Sequence, residues 1–137
     1  MRADWRECQR EERSGQWSAI YVTLNAKGYI VLGKTAYQRL GEPKAFLLLY
    51  DGTNNRIGLK PTAAGIRNAF PAAKSGRHGG RLIRALRLLN EFGIDVKETL
   101  QFPDAEIDHD GVLILDMRSA RVSSRAIVRR RAEASMK

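Results

Sequence analysis

Three groups of residues have types and spacings suited to chemistry. The first is cationic. Gly76-Arg77-His78-Gly79-Gly80 runs into Arg81, Arg84 and Arg87 follow at steps of three, and Lys74 lies just upstream. A glycine turn that frees backbone N–H groups, with guanidinium groups beside it, suits a phosphate. On a helix, steps of three place the arginines along one face. Such a stripe holds a phosphate backbone whatever its base sequence, although an ordinary solvated helix face has the same composition. The second group is acidic: Asp104, Glu106, Asp108 and Asp110 alternate before Gly111. Alternating acids near a glycine suggest a calcium loop, but His109 and Asp110 break that register and no Glu follows at the required distance. The expectation is a solvated acidic loop and no metal site. The third group, Gly28-Tyr29-Ile30-Val31-Leu32-Gly33-Lys34-Thr35, fits the letters of a phosphate-binding G-x-x-x-x-G-K-[ST] loop. Its four middle residues are β-branched, aromatic or aliphatic strand formers that resist the curl such a loop needs.

Nucleophilic chemistry has little to draw on. Cys8 is the single cysteine, His78 and His109 are the two histidines, and none sits in a recognisable catalytic arrangement. One cysteine excludes an internal disulfide and a cysteine-rich zinc site. The expectation is a protein that is not an enzyme and needs no cofactor.

The elements that position these groups follow from periodicity and punctuation. Ile20, Val22 and Leu24 alternate as a half-buried strand. Asn25-Ala26-Lys27-Gly28 signals a turn, and Tyr29–Leu32 a second strand. Lys34–Leu40 reads as a short helix closed by Gly41. Ala45–Tyr50, apolar throughout, reads as a strand buried on both faces. Asp51–Asn55 is a hairpin loop, and Arg56–Lys60 a strand stopped by Pro61. Thr62–Gly80 is loose and rich in Ala and Gly. Leu82, Ile83, Leu86 and Leu89 have helical spacing, which predicts a helix over Arg81–Phe92 ended by Gly93. Val96–Phe102 and Gly111–Met117 read as strands around an acidic loop, Pro103–Asp110. The two helix-ending pairs, Leu40-Gly41 and Phe92-Gly93, stand 52 residues apart. One interpretation is a duplicated helix–strand–strand unit; the other is the common element order of many α+β chains.

Charge is unevenly distributed. The 137 residues carry 24 Lys+Arg, 15 Asp+Glu and a formal net charge of +9. Residues 63–90 hold six cations and no carboxylate, whereas residues 91–117 hold one cation and eight carboxylates. A cationic stretch of this kind points to a polyanion such as nucleic acid, or to pairing with the acidic block within or between chains. Hydrophobic residues at 43% exclude a disordered chain. The longest apolar run, Ala45–Tyr50, is far short of a membrane span. No apolar stretch follows Met1, so the expected location is cytoplasmic, away from membranes.

From Val22 to Lys60 the chain resembles the AbrB/SpoVT swapped-hairpin family, which includes MraZ-like proteins. Val22–Leu32 matches its first hairpin, Lys34–Leu40 with Leu40-Gly41 its helix and close, and Phe46–Tyr50 with Arg56–Lys60 its last two strands. The resemblance covers about 40 residues. It implies a DNA-binding transcription regulator or antitoxin whose half-units interleave, across a homodimer or within a duplicated chain. Tyr29 stands where such proteins carry an arginine after the turn glycine, Gly33 where a proline opens the helix, and Tyr37 and Gln38 where the helix carries arginines.

These observations set the expectations. The fold is α+β, with a swapped-hairpin-like β-barrel core and short helices. Residues 1–17 form a charged arm, 18–61 a swapped-hairpin-like unit, 62–117 a second unit sharing its core, and 118–137 a basic tail. The partner is DNA, held through Lys27, Lys34, Lys74, Arg77, Arg81, Arg84 and Arg87. A homodimer is expected because an isolated half-unit leaves its apolar strands uncovered. The rival is an interaction scaffold that self-associates through its acidic and basic blocks without nucleic acid.

Overall fold

The computed structural model describes residues 20–123. The expected N-terminal arm, with Cys8, Trp5 and Trp17, and the part of the basic tail past Ser123 lie outside the described residues. Within them, eleven short strands and two short helices form two antiparallel sheets around one core.

The first hairpin follows its turn signal. Strands β1 (Val22–Leu24) and β2 (Tyr29–Leu32) pair antiparallel. Asn25 Oδ1 accepts the backbone N–H groups of Lys27 and Tyr29, both at 3.0 Å, and Gly28 takes a φ of +82°. Helix α1 (Lys34–Arg39) then ends as Leu40-Gly41 requires. The Gly41 N–H donates to Gln38 O and the Glu42 N–H to Tyr37 O, which satisfies carbonyls the last turn would otherwise leave open. The Tyr37 hydroxyl donates to Pro43 O at 2.6 Å and ties the helix to the following chain.

Strands β3 (Ala45–Asp51) and β4 (Arg56–Thr62) form the second hairpin. Two expectations change here. Strand β3 is not buried on both faces: Phe46 is fully buried but Leu49 is 45% exposed, because β3 covers the core with one side only. Strand β4 also runs past Pro61 to Thr62. Its other neighbour pairs only as far as Leu59, so proline stands on a stretch with a free edge, where strands tolerate it.

The chain expected to be loose after Thr62 contains β5 (Phe70–Pro71) and β6 (Ala73–Ser75). The expected helix over Arg81–Phe92 is corrected. Gly80–Arg84 is strand β7, and only Leu86–Glu91 is helix, α2. Strand β7 pairs with β2 along Tyr29–Leu32 and with β6 on its other side. The open edge of β2 therefore outweighs the local helical spacing, since a strand ladder fills backbone groups that β2 would otherwise expose. The later strands are shorter than expected. They are β8 (Leu100–Gln101), β9 (Glu106–Ile107) inside the expected acidic loop, β10 (Leu113–Asp116) and β11 (Arg121–Val122).

One sheet has the order β11-β8-β1-β2-β7-β6 and the other β5-β3-β4-β10-β9. Neither closes, so the expected barrel is corrected to two open sheets sharing a core. Val22, Leu24, Ile30, Leu32 and Ile83 enter it from the first sheet, and Phe46, Ile57, Leu59, Leu113 and Leu115 from the second. Helices α1 and α2 add Ala36, Tyr37, Leu88 and Leu89. Each fully buried large apolar side chain contributes about 1.5–3 kcal/mol.

The strand–helix order of β2–α1 recurs in β7–α2, with α1 and α2 beginning 52 residues apart. Both helices end alike: Gly93 has a φ of +64°, and the Ile94 N–H donates to Leu89 O as the Glu42 N–H does to Tyr37 O. Strands β7 and β10 of this chain lie against β2 and β4. Strands β2 and β4 thus each gain a neighbouring strand from the later part of the same chain.

The glycine before β2 is held tightly. A Cβ on Gly28 would lie 2.6 Å from Leu86 Cα, at a backbone conformation L residues avoid, whereas Gly41 has the same conformation in open space. Gly28→Ala is expected to cost roughly 2–4 kcal/mol and Gly41→Ala about 1 kcal/mol. Urea denaturation of both variants measures the difference.

Candidate functional site

The expected site residues divide between the two ends of the β2–β7 ladder. At one end Lys27 lies in the β1–β2 turn. Gly28 O accepts the Ala85 N–H at 2.7 Å, and Tyr29 stands opposite Arg84, so Lys27 adjoins Arg84 and the start of α2, where Arg87 lies. At the other end the β6–β7 turn, Gly76–Gly79, meets the start of α1. A Cβ on Gly79 would lie 3.1 Å from Lys34 Cγ. That contact brings Lys34 beside Arg77, with Lys74 on the strand leading into the turn. Each hairpin turn thus rests against the first residue of the other unit's helix, Gly28 on Leu86 and Gly79 on Lys34.

Arg81 departs from the expected stripe. A strand places successive side chains on opposite faces, so Arg81 shares a face with buried Ile83 while Arg84 takes the other. The Arg81 guanidinium lies 4.7 Å above the Tyr37 ring, and its buried Nε has no hydrogen-bond partner among the described residues. The contact is a cation–π interaction that joins β7 to α1. The helical stripe Arg81–Arg84–Arg87 is therefore corrected. Arg84 and Arg87 are exposed, whereas Arg81 is half-buried against α1.

The other expected site residues are all exposed: Lys27, Lys34, Lys74, Arg77, Arg84 and Arg87. None of the six pairs with a carboxylate among the described residues; the ion pairs there join Arg56, Lys97, Arg118 and His109 to neighbouring acids. The acidic stretch lies chiefly around β9 and β10, in the other sheet. Within one chain, these six therefore form no ion pair with the described acids of the acidic block. Among the described residues no three His, Cys, Asp or Glu side chains gather into a metal site, and none of their helices is long and apolar enough to cross a membrane.

The turn–α1 end opens into a cleft of about 940 Å³. Lys34, Arg77 and His78 line it, together with Gln38, Ser75 and the glycines of the turn. Tyr21, Val31 and Leu32 form its less polar part. The described lining residues include no carboxylate. The glycine-rich turn was legible in the sequence as an anion-binding element, but the contribution of Tyr21 was not. Its alternation with Ile20 and Val22 signalled only a strand, and the close approach of Gly33 to Tyr21, 3.3 Å from a Cβ placed there, is a tertiary fact.

In the other sheet, two carboxylates are held by local partners. Asp51 accepts the Asn54 side-chain amide at 2.8 Å, the Arg56 guanidinium at 2.8 Å and the Asn54 backbone N–H at 3.2 Å. The Asn54 amide and then Arg56 hold its carboxyl down from 3.8 to about 2. Asp116, opposite Arg56 on β10, is also lowered, first by the Arg118 backbone N–H and then by the Arg118 side chain.

No protein-family model, curated protein or solved structure matches the chain.

A depressed carboxyl stabilises the fold at pH values above its unfolded value and loses that effect as pH falls through its folded one. The Asp51 contribution is therefore complete above 3.8 and fades toward about 2. Asp51→Asn is expected to lower the urea midpoint at neutral pH, with the gap from wild type narrowing through this window. A gap independent of pH would mean that the carboxylate is not what stabilises the turn.

Proposed function

We propose that this protein binds nucleic acid, with duplex DNA as the expected target, by neutralising backbone phosphates at the ends of the β2–β7 ladder. A role as a transcription regulator or antitoxin follows from the swapped-hairpin resemblance of Val22–Lys60. The observation that carries the proposal is that six of the exposed cations without carboxylate partners among the described residues lie toward the places where two hairpin turns meet two helix starts. A solvated surface that only served solubility would be expected to intersperse both signs. Here an extended stretch without carboxylates becomes a three-dimensional surface.

In this proposal the binding is electrostatic. Lys and Arg displace condensed counterions from the phosphate backbone, and the release of those ions supplies the free energy. Lys27, Arg84 and Arg87 serve one end of the ladder, and Lys34, Lys74 and Arg77 the other. Arg81 acts indirectly, holding β7 against α1 through the Tyr37 ring. The family's base-reading arginines are replaced by Tyr29, Tyr37 and Gln38, so the contacts are weighted toward phosphate rather than base edges. Tyr37 is buried and hydrogen-bonded to Pro43 O, which makes it a structural residue here. The chain places β7 and β10 against its own β2 and β4, so the proposal requires no homodimer.

Affinity for a duplex of mixed sequence is expected to fall steeply as salt rises. The double variant Lys34→Ala/Arg77→Ala should reduce the slope of log K against log salt by about 2. Fluorescence anisotropy at several salt concentrations reads both. An affinity unaffected by salt, with self-association that salt disrupts, would favour the scaffold instead.

A further inference from the structure

The two ends of the β2–β7 ladder are built alike but finish differently. At the first, Leu86 fills the approach to the turn so closely that Gly28 has no room for a Cβ. At the second, the corresponding helix residue is Lys34, and the contact opens into the cleft that contains Lys34, Arg77, His78 and Tyr21. This end combines a cation cluster and a concavity with an aromatic residue, Tyr21, in its lining. A duplex would use the cations alone, because its bases are stacked inward and cannot reach a ring on the protein. The ring and the concavity go unused unless a base is free to enter.

Free bases are recognised by this pairing of groups. Lysine and arginine hold a phosphate, and an aromatic face offers a stacking surface to any base. The remaining lining fits the same ligand. Gln38 and Ser75 offer polar groups, Val31 and Leu32 are apolar, and none of the described lining residues is a carboxylate that would repel the phosphate. We infer that this cleft takes one unpaired nucleotide unit, with its phosphate on Lys34 and Arg77 and its base against Tyr21. The inference shares Lys34 and Arg77 with the proposed phosphate-binding surface and to that extent rests on it. The unit is either part of a single strand or a free nucleotide.

The test titrates the full-length ¹⁵N-labelled protein with adenosine monophosphate, adenosine, inorganic phosphate and single-stranded oligodeoxyadenylate, following the amides of Lys34, Gly76, Gly79 and Gly80. The monophosphate is expected to shift these amides, with adenosine and phosphate each binding at least about tenfold more weakly. Tyr21→Leu should weaken the monophosphate at least about fivefold and leave phosphate unchanged, while Tyr21→Phe stays near wild type. Tighter binding of the oligodeoxyadenylate than of the monophosphate identifies a strand as the source, and equal binding identifies the free nucleotide. Phosphate matching the monophosphate, or no shift at the turn, overturns the inference. If Tyr21→Leu fails to fold, the comparison of monophosphate with phosphate on the wild-type protein decides. Duplex binding that needs Lys34 and Arg77 while the monophosphate is ignored would sink the inference and leave the broader proposal standing. Monophosphate binding without duplex binding would do the reverse.

Discussion

The structure depends on the ladder between β2 and β7. These strands come from separate halves of the chain, and their pairing draws two hairpins and two helices into one arrangement. Without it, the backbone groups along one edge of β2 would lose their ladder partners, a cost that falls on each N–H and C=O shielded from water. The ladder also determines where each turn ends up. The β1–β2 turn must rest on α2 and the β6–β7 turn on α1, and glycine is required at the closest of these approaches.

The cations follow from that arrangement. Lys27 and Lys34 are seven residues apart in sequence yet serve opposite ends of the ladder. Lys34 and Arg77 are remote in sequence and line one cleft. Most acids of the described acidic stretch, residues 91–117, lie around β9 and β10 in the other sheet. Where acids and bases do meet, as at Asp51 and Arg56, they close a hairpin by local contacts. Paired charges that shape turns thus stand beside exposed cations with no carboxylate partner among the described residues.

Arg81 illustrates how far the sequence could be read. Its step of three to Arg84 and Arg87 was a sound helical signal, and Leu82, Ile83, Leu86 and Leu89 agreed with it. A two-residue alternation was hidden in the same letters, with Ile83 buried and Arg84 exposed. Local spacing cannot choose between these periods when a strand of four or five residues runs directly into a helix of six. The choice was made by β2, which needed a neighbour. The β1–β2 hairpin, α1 and the β3–β4 hairpin were legible because each carries its own stop signal: Asn25 with Gly28, Leu40 with Gly41, and Asp51 with Asn54.

The sequence by itself determined the early hairpins, the first helix and its close, the α+β class and the cationic character of residues 63–90. Each of these rests on contacts within a few residues or on composition, which needs no knowledge of the rest of the chain. Tertiary structure alone decided that Gly80–Arg84 is a strand, that the sheets stay open, that Arg81 turns onto Tyr37, and that Tyr21 joins Lys34 and Arg77 around one cleft. Those outcomes depend on pairings between segments some 50 residues apart. The free energy of such a pairing belongs to both partners at once, and neither segment encodes it alone.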